Sequence, residues 1–290
     1  VEYPTPNVIA EIGCVHLGKP ERAKELCKLA KLCSADYVKF QKRNPEESTP
    51  VHMRDKPHPN KIFAYGETYL EHRQNLELSI IEHAEIKQFC EDIGIGYSTS
   101  VWDLTSAKEV VELDPEFVKI PSACNQHYEM LKYLVDNFKG DIHVSTGMTD
   151  RNEMQALREF VGQNPDRFVV YHCTSKYPCE FDDLHLLEIE RLKSEWKTRI
   201  GFSNHGKGIA ADVAAYMLGA EWIERHFVDD RTMRHTDAAA SLESPGLQRL
   251  CRDLRAIRRA LVNRPDEMDE EELLQRHKMK FHGDSYGSGH

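Results

Sequence analysis

The chain has 290 residues, 40% of them hydrophobic and 30% charged, with a formal net charge of −10. That length suits one large domain with a substantial core. The acidic balance argues against a general nucleic-acid or membrane surface, which needs a basic face, although a few buried Lys and Arg can still set a local positive field for an anionic substrate.

No stretch approaches the roughly 18 apolar residues of a membrane span, and no basic region followed by an apolar segment marks a leader. The eight cysteines are scattered without a Cys-x-x-Cys pair. They read as reduced thiols of a cytoplasmic protein, and Cys14 and Cys173 fall at strand ends where they could line a pocket.

Along the chain the apolar pattern alternates between a period of 2 and a period near 3.6. Asn7–Gly13 reads as a strand and Lys19–Cys33 as a helix. Asp36–Gln41 is a second strand. The polar, proline-containing segment 42–69 after it is too long for an ordinary connection and reads as a lid or binding loop, the other reading being a tolerated surface insertion. A helix over 79–93 leads to a strand at 96–100, a helix at 104–113, a strand at 117–122 and a helix at 128–138. The fifth strand, 142–147, precedes a helix capped by Thr149 or Asp150 and ending at Val161. Strand 167–174, helix 184–196, strand 198–205, helix 208–220, strand 221–227 and helix 246–262 complete the series. Eight strand–helix units without adjacent strands predict an α/β fold, a closed (β/α)8 TIM barrel over 1–272 with a C-terminal tail, 273–290, that is partly disordered. An open doubly wound sheet is the other possibility, weakened because no Gly-x-Gly-x-x-Gly follows the first strand.

Nearly every predicted strand ends in polar residues: Glu11, Lys39, Thr99, Lys119 with Ser122, Ser145 with Thr146, Thr174 with Tyr177, Ser203 with His205, and Glu224 with His226. In such barrels the C-terminal strand ends build the active site. His205 and His226 close neighbouring strands, and two neutral imidazoles there can hold a divalent metal with positions left for substrate oxygens. Lysines on strands two and four are costly to bury unpaired, so they point to an anion between them, with the neighbouring hydroxyls as further donors. Internal ion pairs of those lysines with Glu11 or Glu224 are the alternative.

Eight segments, taken together, resemble the sialic acid synthase family, whose members condense phosphoenolpyruvate with an N-acylated amino sugar. They are Ala10–Gly18, Val38–Gln41, Ser98–Asp103, Val118–Ser122, Ser145–Met148, His172–Pro178, Gly201–His205 and Ile223–Phe227. The resemblance implies that His205 and His226 bind a divalent metal, usually Mn²⁺, with Mg²⁺ or Co²⁺ as the alternatives. It implies that Lys39, Thr99, Lys119, Ser122, Ser175 and Ser203 hold phosphoenolpyruvate, that Glu11 takes the proton of the attacking water, and that Glu224 sits at the phosphoenolpyruvate end. Asn60, Tyr177 and Asp237 are the implied contacts of the acceptor sugar, and a homodimer is the implied assembly.

The chain departs from the family at Val15, Asn204, Ser175 and Ala238, where Asn, Asp, Asn and His are common. It also stops soon after the eighth helix, where many relatives continue into an antifreeze-like domain that supplies an Arg to the sugar. Acceptor recognition is therefore expected from segment 42–69 or the basic stretch 276–280. Two other functions compete with this one. The first is a related phosphoenolpyruvate-dependent 3-deoxy-aldulosonate synthase acting on a different or a phosphorylated aldose, for the latter of which Arg43, Arg225, Arg231 and Arg234 are the available cations. The second is a non-catalytic sugar-binding barrel.

Overall fold

A parallel strand covered on both faces is hydrophobic nearly throughout, and the eight strands here are buried along almost their whole length. In the computed structural model, which describes residues 3–281 together with 283 and 286, they close into a barrel. The order is β1 (Asn7–Gly13), α1 (Pro20–Leu32), β2 (Tyr37–Lys42), α2 (Pro45–Ser48), α3 (Tyr69–Leu76), α4 (Ile80–Ile93), β3 (Gly96–Val101) and α5 (Leu104–Leu113). There follow β4 (Phe117–Ile120), α6 (Tyr128–Asn137), β5 (Asp141–Ser145), α7 (Arg151–Val161), β6 (Phe168–Cys173) and α8 (Glu188–Trp196). The chain ends with β7 (Arg199–Asn204), α9 (Ala210–Met217), β8 (Trp222–His226), α10 (Ser244–Ala260) and α11 (Glu270–Met279). Each strand pairs in parallel with the next, and β8 pairs with β1 to close the ring. The open-sheet alternative is thereby excluded.

Local chemistry sets the helix ends. Ser79 with Glu82 and Asp150 with Glu153 form capping boxes that satisfy otherwise orphaned N–H groups at the starts of α4 and α7. Gly94 ends α4 at φ +71°, a left-handed turn that glycine adopts without a Cβ clash. Most of the core lies between sheet and helices, from Val8 and Val38 through Leu131, Leu157 and Phe202 to Leu254.

The barrel interior is divided by height. Its floor is an apolar plug of Ile9, Phe117, Val169, Tyr171 and Trp222. The His143 ring stacks on Phe117 with centroids 4.0 Å apart and bonds the Tyr171 hydroxyl at 2.9 Å. Gly201 makes room for this layer, because a Cβ there would lie 2.5 Å from the Tyr171 ring. Above the plug the inward positions turn charged, and the functional site begins there.

Segment 42–69 contains α2 and single 3₁₀ turns at Val51–Met53 and Lys61–Phe63, and it leads into α3, which a Thr68–Glu71 capping box starts. The expected tail begins inside α11, a helix capped by Asp269, acidic in its first turn and basic in its last as the helix dipole favours. None of its residues is buried, so no apolar stripe announces it. Residues 282, 284, 285 and 287–290 of the expected disordered tail lie outside the described residues. All eight cysteines are free, and among the described residues no helix is long and apolar enough to cross a membrane.

Candidate active site

Strand parity decides which side chains reach the barrel axis. Glu11, Lys39, Gln41, Ser100, Lys119, Ser145, Cys173, Ser203, His205, Glu224 and His226 point into a cavity of about 240 Å³ at the C-terminal mouth. Trp102, Ser122, Ser175 and Tyr177 join them from the loops above. A larger groove, about 1410 Å³, opens between α7 and α8 and shares Met148, Cys173 and Ser175 with this cavity. It contains neither lysine and neither of the paired histidines, so the chemistry belongs to the smaller cavity.

The centre is a chain of alternating charges. Lys39 Nζ lies 2.5 Å from Glu11 Oε2 and 3.7 Å from Glu224 Oε2, and Lys119 Nζ lies 2.6 Å from Glu224 Oε1. Lys39 also donates to Ser100 Oγ at 2.7 Å, Ser203 Oγ donates to Glu224 at 3.0 Å, and Gln41 Nε2 donates to Glu11 Oε1 at 2.9 Å. Lys119 sits over the Tyr171 ring, 4.0 Å from its centroid, so the apolar plug is also the floor of the charged layer. Each lysine is thus ion-paired within the protein, as the alternative reading of the sequence had it, and each also lines the cavity.

The environment drives the two carboxyls apart. Burial is the largest influence on Glu11; with the charge of Glu224 it outweighs Lys39 and raises that carboxyl above its ordinary range. Burial alone would raise Glu224 too, but Lys119 and Lys39 together hold it well below the usual carboxylate range. Lys119 is lowered by burial, whereas Glu11 and Glu224 outweigh burial at Lys39 and raise it. Two carboxyls poised differently in one cavity suit one proton acceptor and one fixed charge.

His205 and His226 stand side by side, their ring centroids 5.4 Å apart. The Nδ1 of His205 is 2.9 Å from the Thr174 carbonyl, to which it donates, so Nε2 is the nitrogen left for a ligand; burial disfavours the charged ring, but a hydrogen bond with Cys173 outweighs it and raises His205 above the usual imidazole range. His226 Nδ1 is buried without a hydrogen-bond partner and lies 3.9 Å from Asp237 Oδ2. Burial lowers His226 to about 4, so it is neutral and able to ligate at pH 7. These donors fit a divalent cation with open positions, although among the described residues no cluster of three or more His, Cys, Asp or Glu forms a ready-made metal cage. Cys173 lies beneath the pair; burial would raise its thiol, but a hydrogen bond to His205 and the nearby Lys119 lower it.

Three sequence expectations for phosphoenolpyruvate contacts sit together at the β4–β6 side. Gly147 N–H donates to Ser122 Oγ at 3.1 Å, and a Cβ on Gly147 would lie 2.7 Å from Ser122 Oγ and 2.5 Å from Ser175 Oγ. Ser203 faces them from β7. Thr99 does not join them. It is buried on the other face of β3, its hydroxyl directed to the Ser100 carbonyl, and Ser100 reaches the cavity instead. The sequence placed a hydroxyl at this level correctly but one residue off, and that slip reverses the face.

Of the expected sugar contacts, Tyr177 stacks near His205 with ring centroids 4.0 Å apart. Asp237 reaches His226 from the segment after β8. Asn60 is not brought to the cavity: it is exposed and caps the 61–63 turn by accepting from Ile62 N–H at 3.0 Å. Sequence reasoning missed Gln41, Ser100 and Trp102. Gln41 and Ser100 follow from parity with Lys39 and with the inward Ser98; Trp102 carries no such signal.

Comparison with known proteins places this geometry. The profile of the NeuB family matches residues 26–265. The human N-acetylneuraminate-9-phosphate synthase is 33% identical over 255 residues, 88% of this chain and 70% of that protein. The N,N'-diacetyllegionaminic acid synthase of Campylobacter jejuni is 33% identical over 257 residues, 88% of this chain and 77% of that protein. A crystal structure of N-acetylneuraminic acid synthetase from Leptospira borgpetersenii superimposes with a TM-score of 0.79 at 26% identity, covering 93% of this chain and 90% of that one. With its closed barrel and its site at the strand ends, the chain belongs to the NeuB family.

Proposed function

We propose that the protein condenses phosphoenolpyruvate with an open-chain N-acyl hexosamine, giving a nine-carbon 2-keto-3-deoxy acid and phosphate. The observation that carries this is the pair of oppositely poised carboxyls, Glu11 and Glu224, interleaved with Lys39 and Lys119 beside two available imidazoles. A cavity of about 240 Å³ is small even for a drug-sized ligand, so it suits a three-carbon phosphoenol while the loops above hold much of the sugar.

Phosphoenolpyruvate carries a charge of about −2.5 to −3 at pH 7. The two lysines are already balanced by two glutamates, so a divalent cation at His205 and His226 would offset most of the added charge. When bound there, Mn²⁺ (with Mg²⁺ or Co²⁺ as substitutes) supplies Lewis-acid polarisation of the sugar aldehyde.

Lys39, Lys119, Ser122, Ser175 and Ser203, with Ser100 in the place expected of Thr99, hold the phosphate and carboxylate of phosphoenolpyruvate. Its C3 forms the new bond to the aldehyde carbon, whose oxygen takes up a proton, and positive character appears at C2. Water adds to C2 and loses a proton to Glu11. Loss of the hydroxyl proton then forms the ketone as the C2–O bond breaks and phosphate leaves with the electron pair. Glu224, held ionised by its lysines, fixes Lys119 and stabilises the positive character at C2. Tyr177 and Asp237 flank the aldehyde end of the sugar. The eight free cysteines fit a cytoplasmic setting, and a homodimer is the proposed assembly.

The test is phosphate release from phosphoenolpyruvate with Mn²⁺ and a panel of N-acyl hexosamines. Release with at least one acceptor is expected. None with any acceptor, despite bound metal, would leave a non-catalytic sugar-binding barrel.

A further inference from the structure

The two histidines face the cavity, and by strand parity the residue before each turns to the opposite face of the sheet. Asn204 precedes His205 at the end of β7, Arg225 precedes His226 on β8, and the two lie side by side in the register of the sheet. Asp212 meets them from the first turn of α9. All three side chains are buried.

They form one network. Arg225 Nη1 donates to Asp212 Oδ2 and to the Gly208 carbonyl, and Nη2 donates to the Gly206 carbonyl, each at 2.7 Å. Asn204 Nδ2 donates to Asp212 Oδ1 at 2.9 Å, while Asn204 Oδ1 accepts from Gly206 N–H at 2.7 Å. Gly206, the residue after His205, is thus held at both its N–H and its carbonyl. Arg225, one of the cations that the sequence offered to a phosphorylated aldose, is spent on this network behind the sheet.

The simplest account is that the network only secures the connection from β7 to α9. A buried ion pair adds little net stability, because lost hydration offsets the attraction; at Asp212 burial outweighs Arg225 and raises the carboxyl. What the network adds to the sheet ladder is geometric: it ties the residue after His205 to the residue before His226. The other ties of His205 run toward β6 and the segment after it, from Nδ1 to the Thr174 carbonyl at 2.9 Å and from the Cys179 N–H to the His205 carbonyl at 3.0 Å.

We propose that Arg225, Asp212 and Asn204 are positioning residues that set the spacing of the His205 and His226 rings, and thereby the affinity of the pair for a divalent cation. This rests on the metal reading of the pair proposed above. Two ligands grip one ion only when both are held at its bonding distance, and partners beyond the ligands commonly change metal affinity by about 10- to 100-fold.

The network can be rewired without changing its shape. Exchanging its two groups, Asn204→Asp with Asp212→Asn, reproduces every hydrogen bond: the new carboxylate accepts from Gly206 N–H and from the new amide, whose oxygen accepts from Arg225. Neither substitution alone can do this. Asn204→Asp brings two carboxylate oxygens together where an amide now donates at 2.9 Å, and Asp212→Asn leaves one amide N–H opposed to another donor.

The test is calorimetric titration of Mn²⁺ into wild type, the two single variants and the double variant, with thermal unfolding of each. Each single variant is expected to bind Mn²⁺ about 10- to 100-fold more weakly, and the double variant to return to within about threefold of wild type. Arg225→Lys keeps a cation beside Asp212, but one ammonium cannot reach both glycine carbonyls; it should bind about tenfold more weakly, and it decides the matter if a single variant fails to fold. Wild-type Mn²⁺ affinity in a folded single variant or in Arg225→Lys would overturn the proposal and leave a brace for the loop alone. So would a double variant that regains thermal stability but not Mn²⁺ affinity. A wild-type protein that binds no Mn²⁺, or binds it equally after His205→Ala with His226→Ala, would instead overturn the metal reading, and the proposal with it.

Discussion

Replacing Glu11 with Gln removes one charge from the centre of the site and keeps its shape. Lys39 loses a partner at 2.5 Å but retains Glu224 at 3.7 Å and Ser100 at 2.7 Å, so it is not left as an orphaned cation. The amide cannot accept from both Lys39 and Gln41, and one hydrogen bond is lost. The stability cost should therefore fall at or below the lower end of the range for breaking a buried pair, about 2–3 kcal/mol. Turnover should fall far more, by about 10²–10⁴, the usual worth of a positioned proton acceptor. Because burial raises the Glu11 carboxyl, the base form is lost as pH falls through a value above the ordinary carboxylate range. The acid limb of the wild-type kcat/KM profile should accordingly lie above pH 4.5, and the variant should lack that limb. Phosphate release followed across pH, with calorimetric binding of phosphoenolpyruvate, separates these effects. Turnover within about threefold of wild type, with phosphoenolpyruvate binding intact, would refute the role of Glu11, since it lies far below the range for general base catalysis.

Other perturbations probe the remaining parts. His205→Ala combined with His226→Ala should abolish metal-stimulated turnover and Mn²⁺ binding by calorimetry; retained binding would place the metal elsewhere. Ser100→Ala should weaken phosphoenolpyruvate binding about tenfold, the worth of one charge-assisted bond to Lys39, whereas Thr99→Val should leave it unchanged. The reverse order would undo the assignment of strand faces. Gly147→Ala places a methyl 2.5–2.7 Å from Ser175 Oγ and Ser122 Oγ, and should raise KM for phosphoenolpyruvate at least tenfold while the fold survives by circular dichroism.

Much of the barrel was legible because its strands and helices differ in period and end in recognisable caps. The helix expected over 104–113 is α5 without a shift, and the one expected from 79 begins with Ser79 as its cap. Glu11, Lys39, Lys119, Glu224 and the two histidines were legible as polar residues where a packed strand should be apolar. What the one-dimensional pattern does not carry is the partner each charge takes. Lys39 found Glu11 beside it on the neighbouring strand, 28 residues away, and Lys119 found Glu224 across the barrel, 105 residues away. Thr99 was misplaced because adjacent hydroxyls at 98, 99 and 100 make the register ambiguous to composition, and only the pairing of Lys39 with Ser100 resolves it. Asn60 lies in a segment with no periodicity to place it, and α11 has no buried face to reveal it.

The central claim is that a carbon–carbon bond forms as the C–O bond of phosphoenolpyruvate breaks. Phosphoenolpyruvate carrying ¹⁸O in the oxygen between C2 and phosphorus tests both parts in one reaction with Mn²⁺ and an N-acyl hexosamine. The account predicts a nine-carbon keto acid without the label, formed in equal amount with phosphate that retains it. Label in the organic product, or labelled phosphate without the nine-carbon acid, would contradict it.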